Sequence, residues 1–108
     1  MGEIQLSNCL SAEVGCSRTL RWLVLRGEID LAGAPALRAL LLGDGAPTVI
    51  VDLAGVSFVD VIGVETLASV HRVLESRGGA VVLRRARSEP RRLFALLGLG
   101  ALLEARAA

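Results

Sequence analysis

The stretch that decides the fold is Thr48-Val49-Ile50-Val51-Asp52-Leu53, which is rich in β-branched residues and almost wholly apolar. Such a run is typical of a central strand that is buried on both faces, and Gly55 marks its expected end. Ala80 to Leu83 predicts a second buried strand. Between them, a helical face that ends at Gly78-Gly79 is formed by Val64, Leu67, Val70 and Leu74. The pattern therefore predicts a strand, a helix and a strand joined by a parallel crossover.

Upstream of this unit, the pattern predicts a hairpin followed by a short helix. Ile4 to Leu10 and Thr19 to Glu28 are its two predicted strands. The second is apolar on both faces, as expected of a strand inside a sheet. In the helix, Pro35 suits the first turn and Gly43 the end. The apolar stripe of this helix consists of Leu37, Leu40 and Leu41.

Downstream, the pattern predicts one more helix and a last short strand. Ser88 is the expected N-cap, Pro90 suits the first turn, and Gly98 is the expected C-terminal cap. Leu102-Leu103 is the candidate for the strand. The prediction is thus a single α/β domain over residues 1–108, with a mixed sheet, helices packed alongside it and the order ββαβαβαβ.

The composition excludes several classes of function. A chain of 108 residues is long enough for one domain with one core, without disulfides or metals. The formal net charge is +1 and aromatic residues make up 3% of the chain. Because neither a large basic face nor a base-stacking platform is available, we expect no direct binding of nucleic acid.

We also expect no membrane insertion. The most apolar stretch, residues 46–64, contains Pro47, Asp52 and Asp60. A charged side chain at the bilayer centre costs roughly 2.5 to 3.5 kcal/mol, which argues against a span. The N-terminus carries Glu3 and lacks the basic region of a signal peptide. A cytoplasmic protein is expected.

The two cysteines, Cys9 and Cys16, do not have the spacing of a zinc site. They could face each other across a hairpin turn around Ala12 to Gly15. Without a secretory signal, however, two reduced thiols are expected. No metal and no cofactor is predicted.

Asp60 is the most informative polar residue, at the strand-to-helix turn. It has two compatible interpretations: a carboxylate at a binding edge, or the N-cap of the following helix. A catalytic role lacks partners, since the lone His71 lies in the middle of that helix and the chain contains no nucleophile elbow or phosphate-binding loop. We therefore expect no catalytic residues.

Three segments carry a family resemblance: Gly27-Glu28-Ile29-Asp30, Val49-Ile50-Val51-Asp52-Leu53 and Val56-Ser57-Phe58-Val59-Asp60-Val61-Ile62-Gly63-Val64. Gly78 to Leu83 and Arg91 to Leu99 extend it over residues 19 to 105. Together they resemble the STAS family, specifically the anti-sigma-factor antagonists. The resemblance implies a mixed sheet with helices alongside and a non-enzymatic adaptor. Its implied partner is an anti-sigma factor that is also a serine kinase of the histidine-kinase-like ATPase fold, and binding it frees a sigma factor.

The chain departs from that family at the turn before the second helix. Family members typically have Asp-Ser-Ser-Gly or Asp-Ser-Thr-Gly there, and the kinase switches them off by phosphorylating the serine. Here the turn is Asp60-Val61-Ile62-Gly63, so Ile62 occupies the phosphoacceptor position and offers no hydroxyl. The possible substitute hydroxyls are Ser57, Thr66 and Ser69. We predict an antagonist that phosphorylation at position 62 does not switch off.

The partner-binding site is expected at the carboxyl ends of the parallel strands, where such sheets bind ligands. Its expected residues are Asp30, Asp60, Val61, Ile62, Gly63, Glu65, Arg84 and Arg85. Two questions stay open at this point. Val61 and Ile62 either tuck onto the sheet or form an exposed apolar patch. Arg84 and Arg85 either contact an acidic partner or a phosphate, or are solvated loop charges.

Two further classes of function compete with the antagonist. The first is a STAS subunit of an ABC-type lipid transport complex, which the missing phosphoacceptor makes more credible. The second is a sensor or scaffold that binds a nucleotide. The sequence leaves the oligomeric state open between a monomer and a weak dimer.

Overall fold

The computed structural model describes residues 2–43 and 45–103. Within these residues, five strands form one mixed sheet in chain order. The first three strands pair antiparallel, and the third to fifth pair parallel. The strands are β1 (Glu3–Ser7), β2 (Leu10–Cys16), β3 (Leu20–Ile29), β4 (Thr48–Val59) and β5 (Ala80–Arg84).

In the described part of the chain, three helices cover one face of this sheet. They are α1 (Ala34–Leu42), α2 (Val61–Glu75) and α3 (Ser88–Leu96), and a 3-10 turn follows at Gly100–Leu102. The crossovers through α1 and α2 step in the same direction, from β3 to β4 to β5. Because such crossovers are right-handed, both helices lie on the same face. The aliphatic core, joined by Phe94 of α3, lies between the helices and that face.

The predicted α/β class, mixed sheet and parallel strand-helix-strand unit are confirmed. The N-terminal region differs, because it contains three strands rather than two. The predicted first strand is broken by a turn at Asn8-Cys9, and Ala12 to Gly15 lies inside β2 instead of forming a turn. Leu10 and Ala12 are buried at alternate positions, which gives β2 its core face.

The expectation that β4 ends near Gly55 and is buried on both faces is wrong. The strand continues to Val59, and two register irregularities let its 12 residues pair along the 10 residues of β3. Val49 and Val51 are fully buried, whereas Ile50 is half-buried. The reason is that the described helices cover one face only, so alternate side chains remain near solvent.

Helix ends follow the predicted glycines. Gly98 has φ +76°, and the Leu99 amide donates to the Phe94 carbonyl at 2.9 Å. The start of α3 differs from the prediction, since Arg87 is the N-cap and Ser88 is the first helical residue. Leu103 makes a single parallel bridge to Leu83 rather than a strand.

The free edge of β5 is blocked by two contacts. The Val81 amide donates to Nδ1 of His71 at 3.0 Å, and the bridge from Leu103 pairs with Leu83. An edge strand with unpaired amides would invite pairing with another chain, so these contacts protect it. His71, which is half-buried in the middle of α2, thus has a structural role.

Cys9 and Cys16 are exposed free cysteines at the two ends of β2. A strand of that length separates them by roughly 20 Å. A disulfide requires the Cα atoms to lie within about 7 Å. The hairpin contact considered for these thiols is therefore excluded.

Candidate partner-binding site

Asp60 caps α2 and ties its start to the sheet. Its backbone is extended, and its Oδ1 accepts a hydrogen bond from the Gly63 amide at 2.7 Å. Its own amide donates to the Ile29 carbonyl at the end of β3, at 3.0 Å. The N-cap interpretation of Asp60 is confirmed, and the first turn of α2 is thereby held next to the carboxyl end of β3.

Gly63 allows α2 to approach the sheet closely. A Cβ atom at this buried position would lie 2.8 Å from Cγ2 of Ile29 and 3.0 Å from Cγ1 of Val59. With the third residue of the helix pressed against the strand ends, the two preceding residues face away from them.

Val61 and Ile62 are accordingly exposed, at 51% and 42% of their surface. Two further large apolar side chains at the same edge are exposed, Leu31 after β3 and Phe58 near the end of β4. We call these four residues the α2-start surface. Of the two alternatives for Val61 and Ile62, the structure shows exposure rather than packing onto the sheet. Exposed apolar patches with polar rims are typical of protein-binding sites.

Leu31 and Phe58 were not singled out from the sequence. Both lie in loop or strand-end segments of the predicted binding edge. The signal available was a large apolar residue directly beside the carboxyl end of a parallel strand, where the helices do not cover it.

Carboxylates surround the α2-start surface. Asp30 lies in the loop after β3, where its Oδ1 accepts from the Ala32 amide at 3.1 Å and its carbonyl accepts from the Ala34 amide. Glu28 and Glu65 are exposed nearby, on the end of β3 and the first turns of α2. The rim of the surface is therefore acidic, and it would favour a partner with basic residues around an apolar contact.

Arg84 and Arg85 lie apart from this group. Arg84 is in register with Asp52, which pairs with Val24 of β3. Val24 precedes Ile29 by five residues, or about 17 Å of strand. The two arginines are separated from the start of α2 because β4 extends past the end of β5, and α2 begins only after β4 ends. The structure thus groups six of the eight expected residues and leaves the two arginines elsewhere on the sheet.

Arg85 forms a double contact with Asp52. Its Nε and Nη2 donate to Oδ2 of Asp52 at 2.9 and 2.7 Å, and the Ala54 amide donates to Oδ1. Partial burial raises the pKa of Asp52, but the hydrogen bonds and the arginine charges outweigh it, so the net pKa lies below the ordinary value. The hydrogen bond and the charge of Asp52 raise the pKa of Arg85.

The substitute hydroxyls have different surroundings. Ser69 Oγ accepts from Nη1 of Arg38 at 2.6 Å, between α1 and α2. Thr66 Oγ1 donates to the Ile62 carbonyl at 2.8 Å within the helix. Ser57 is exposed on β4, where its Oγ donates to the Gly27 carbonyl at 3.4 Å. All three hydroxyls thus make hydrogen bonds within the chain. No cluster of three metal-ligating side chains occurs among the residues described.

A family model described as "Mlab, STAS domain" matches residues 14–104. The chain belongs to the STAS domain family. The family assignment made from the sequence is confirmed. In the described part of this STAS domain, no helix is both long and apolar enough to cross a membrane.

Solved structures share the fold of this STAS domain. The anti-sigma factor antagonist SpoIIAA in its unphosphorylated form is 24% identical with a TM-score of 0.78, and the match covers 89% of this chain and 88% of that one. An anti-sigma factor antagonist from Mycobacterium paratuberculosis is 27% identical with a TM-score of 0.76, over 90% and 86% of the two chains. A comparison with curated proteins gave no match.

The same fold also occurs as one part of a membrane transporter. The murine anion transporter Slc26a9 matches with a TM-score of 0.63 and 20% identity, over 76% of this chain and 14% of that one. Because one fold serves several functions, the function of this domain has to be argued from its surface.

Proposed function

We propose that this STAS domain is a non-enzymatic anti-sigma-factor antagonist that binds its partner through the α2-start surface. The observation that carries the proposal is the exposure of four large apolar side chains near the carboxyl ends of β3 and β4. Two of them, Val61 and Ile62, lie at a helix start that Asp60 caps and Gly63 holds against the sheet. The 27% identical relative described as an anti-sigma factor antagonist supports the same role.

The partner we propose is an anti-sigma factor that is a serine kinase of the histidine-kinase-like ATPase fold. We propose that the two proteins bind each other in the cytoplasm. Binding would release a sigma factor and so regulate transcription. Phosphorylation of a serine at this turn would add about −1.5 to −2 charges beside Asp60 and within an apolar contact, and both the like-charge repulsion from Asp60 and the cost of desolvating the phosphate would weaken binding. Ile62 has no hydroxyl, so this switch is missing, and the antagonist would be controlled through its abundance or through its partner.

The runner-up function is a STAS subunit of an ABC-type lipid transport complex. Two observations favour it over a nucleotide-binding sensor. The phosphoacceptor position holds Ile62, and the matching family model carries the name Mlab. Both an antagonist and a transport subunit would use a protein-docking surface, so the identity of the bound partner distinguishes the two functions.

The test is affinity purification of the tagged chain from its native cells, with mass spectrometry of the bound proteins. It compares the wild type with Ile62→Glu, which places a charge in the α2-start surface. The matched control is Leu96→Glu, since Leu96 is an exposed aliphatic residue on α3, at 72% exposure.

Recovery of an anti-sigma kinase with the wild type and with Leu96→Glu, but not with Ile62→Glu, is the expected result. Recovery of ABC transporter subunits instead would establish the runner-up. A kinase that binds Ile62→Glu as well as the wild type would show that the α2-start surface is not the docking site.

A further inference from the structure

The arginines before and within α3 are not used by the α2-start surface. Residues 84–92 contain five of the 12 arginines of the chain. Arg85 is engaged with Asp52, and Arg84 also has an interaction partner within the chain. The other three arginines form no ion pair with the residues described. We call them the α3 arginine surface: Arg87, Arg91 and Arg92.

The α3 arginine surface occupies neighbouring positions at the start of the helix. Residues four apart on a helix have Cβ atoms roughly 5 to 6 Å apart, so Arg87 and Arg91 lie side by side. Arg92 follows directly on the exposed part of α3. Arg87 is exposed as well, whereas Arg91 is half-buried. Three positive charges are therefore concentrated within about two turns of the helix.

This arrangement is unfavourable for the stability of α3 itself. Arg87 is the N-cap and makes no side-chain hydrogen bond to the helix, although Ser, Thr, Asp and Asn are the preferred residues at this position. Positive charges near the amino end of a helix oppose its dipole, and like charges four residues apart repel each other. Residues that break local rules of stability in this way occur mostly at functional sites. The role of these arginines is therefore expected outside the fold.

Arg91 also has a donor without an acceptor. Its Nε is buried and has no hydrogen-bond partner among the residues described. A buried polar group in this state calls for a partner from outside the chain or for a specific function. The buried part of the side chain limits its rotamers, so less conformational entropy is lost when the guanidinium binds a ligand. Arg91 is thus the fixed member of the α3 arginine surface.

We propose that the α3 arginine surface binds an acidic peptide segment of a partner protein. The planar guanidinium pairs with a carboxylate through two parallel hydrogen bonds. Glu89 is exposed between these arginines in the sequence, and it would repel a uniformly anionic membrane or nucleic acid. A peptide can place a basic residue opposite Glu89 and carboxylates opposite the arginines. The surface lies on a different helix from the α2-start surface, and the inference does not depend on the proposed function.

The test uses the full chain and a synthetic hexaglutamate peptide as the probe. Exposed ion pairs are weak and are screened by salt, so the titration is followed by NMR at an ionic strength of about 0.01 M. The expected result is a saturable change in the amide shifts of residues 86–93, which is lost at high salt. No change, or changes spread over the whole domain, would refute the proposal.

Single substitutions test the residues. Arg87→Gln and Arg92→Gln should each raise the dissociation constant of hexaglutamate roughly two- to fivefold, and Glu89→Gln should lower it. Arg72→Gln is the matched control, because it removes the same charge from an exposed position of α2, and it should leave the affinity unchanged. An equal loss in Arg72→Gln would show that only the net charge matters and would overturn the proposal.

Two further probes cover other anionic ligands: vesicles of phosphatidylglycerol and phosphatidylcholine, and inorganic phosphate. Cosedimentation with the vesicles and an NMR titration with phosphate should show no dependence on the α3 arginine surface. If Arg92→Gln weakens binding to either probe as much as binding to hexaglutamate, the surface recognises phosphate groups, and the proposal is overturned.

Arg87→Ser separates binding from stability. Serine is a preferred N-cap, so the melting temperature should rise by a few degrees while the affinity for hexaglutamate falls. A purely structural role of Arg87 predicts the opposite change in stability. A variant that melts below the wild type would therefore contradict the proposal.

Discussion

The carboxylate of Asp60 accepts a hydrogen bond from the backbone amide of Gly63, with 2.7 Å between Oδ1 and N. The same two residues orient the α2-start surface, because Asp60 joins the helix to Ile29 and Gly63 presses it onto the strand ends. The geometry of the proposed docking site thus depends on two residues that do not have to touch the partner.

Replacing Asp60 by alanine removes the N-cap acceptor of α2. We expect the free energy of unfolding to fall by about 1 kcal/mol, within the usual range of roughly 0.5 to 2 kcal/mol. Urea denaturation followed by circular dichroism measures it. Asp60→Asn keeps an acceptor oxygen and should lose much less. Equal losses for both variants would show that the cap is not the cause.

Gly63→Ala should destabilise the domain by about 1 to 3 kcal/mol, because the new methyl group meets Ile29 and Val59. Helix propensity alone would predict a gain of about 1 kcal/mol. Glu65→Ala, at an exposed position of the same helix, is the control and should change the stability little. A stabilised Gly63→Ala would disprove the close approach of α2 to the sheet.

Ile62→Ser places a hydroxyl at the family's phosphoacceptor position. Since Ile62 is exposed, we expect a change in stability of about 0.5 kcal/mol or less. Incubation with the purified anti-sigma kinase and ATP should phosphorylate this variant but not the wild type, as measured by intact-protein mass spectrometry. Val61→Ser is the control with a hydroxyl one residue away. Phosphorylation of the wild type on Ser57, Thr66 or Ser69, with loss of partner binding, would refute an unswitched antagonist.

His71→Ala leaves the Val81 amide on the edge of β5 without its acceptor. The expected cost is about 1 to 3 kcal/mol in the free energy of unfolding. Hydrogen exchange of the Val81 amide should also accelerate. His71→Asn can place an oxygen near the position of Nδ1 and should recover part of both effects. Unchanged exchange in His71→Ala would mean that the contact does not protect the strand.

The lowered pKa of Asp52 predicts how one part of the stability depends on pH. Ionised Asp52 is stabilised in the folded state, so its contribution is complete above its ordinary pKa of 3.8 and is lost as the pH falls through the lower folded-state pKa. The measurement is the difference in free energy of unfolding between the wild type and Asp52→Asn, from neutral pH downwards. This difference should become smaller only as the pH falls from 3.8 through the folded-state pKa of Asp52. A difference that stays constant would contradict the prediction.

Much of the fold was predictable from spacing. The apolar runs and the glycines between them located the parallel strands β4 and β5, the three helices described and most helix ends, since burial on one side imposes a period of two or 3.6 residues. The strands of the N-terminal hairpin were harder to predict from the sequence. Residues Ser11 to Gly15 are mostly small or polar, as in a turn, and only their pairing with β1 and β3 makes them a strand.

The sequence by itself determined the family, the class of fold and the missing hydroxyl at Ile62, because these depend on residue identity and local order. The tertiary structure decided what is exposed. An apolar alternation shows that a strand is buried but not by how many layers, and the one-sided crossovers left Trp22 and Ile50 near solvent. Because β4 extends past the end of β5, Arg85 lies away from Asp60. The packing of Gly63 against the sheet leaves Val61 and Ile62 facing outward. Both arrangements depend on contacts between segments that are distant in the chain, and the sequence alone does not give such contacts.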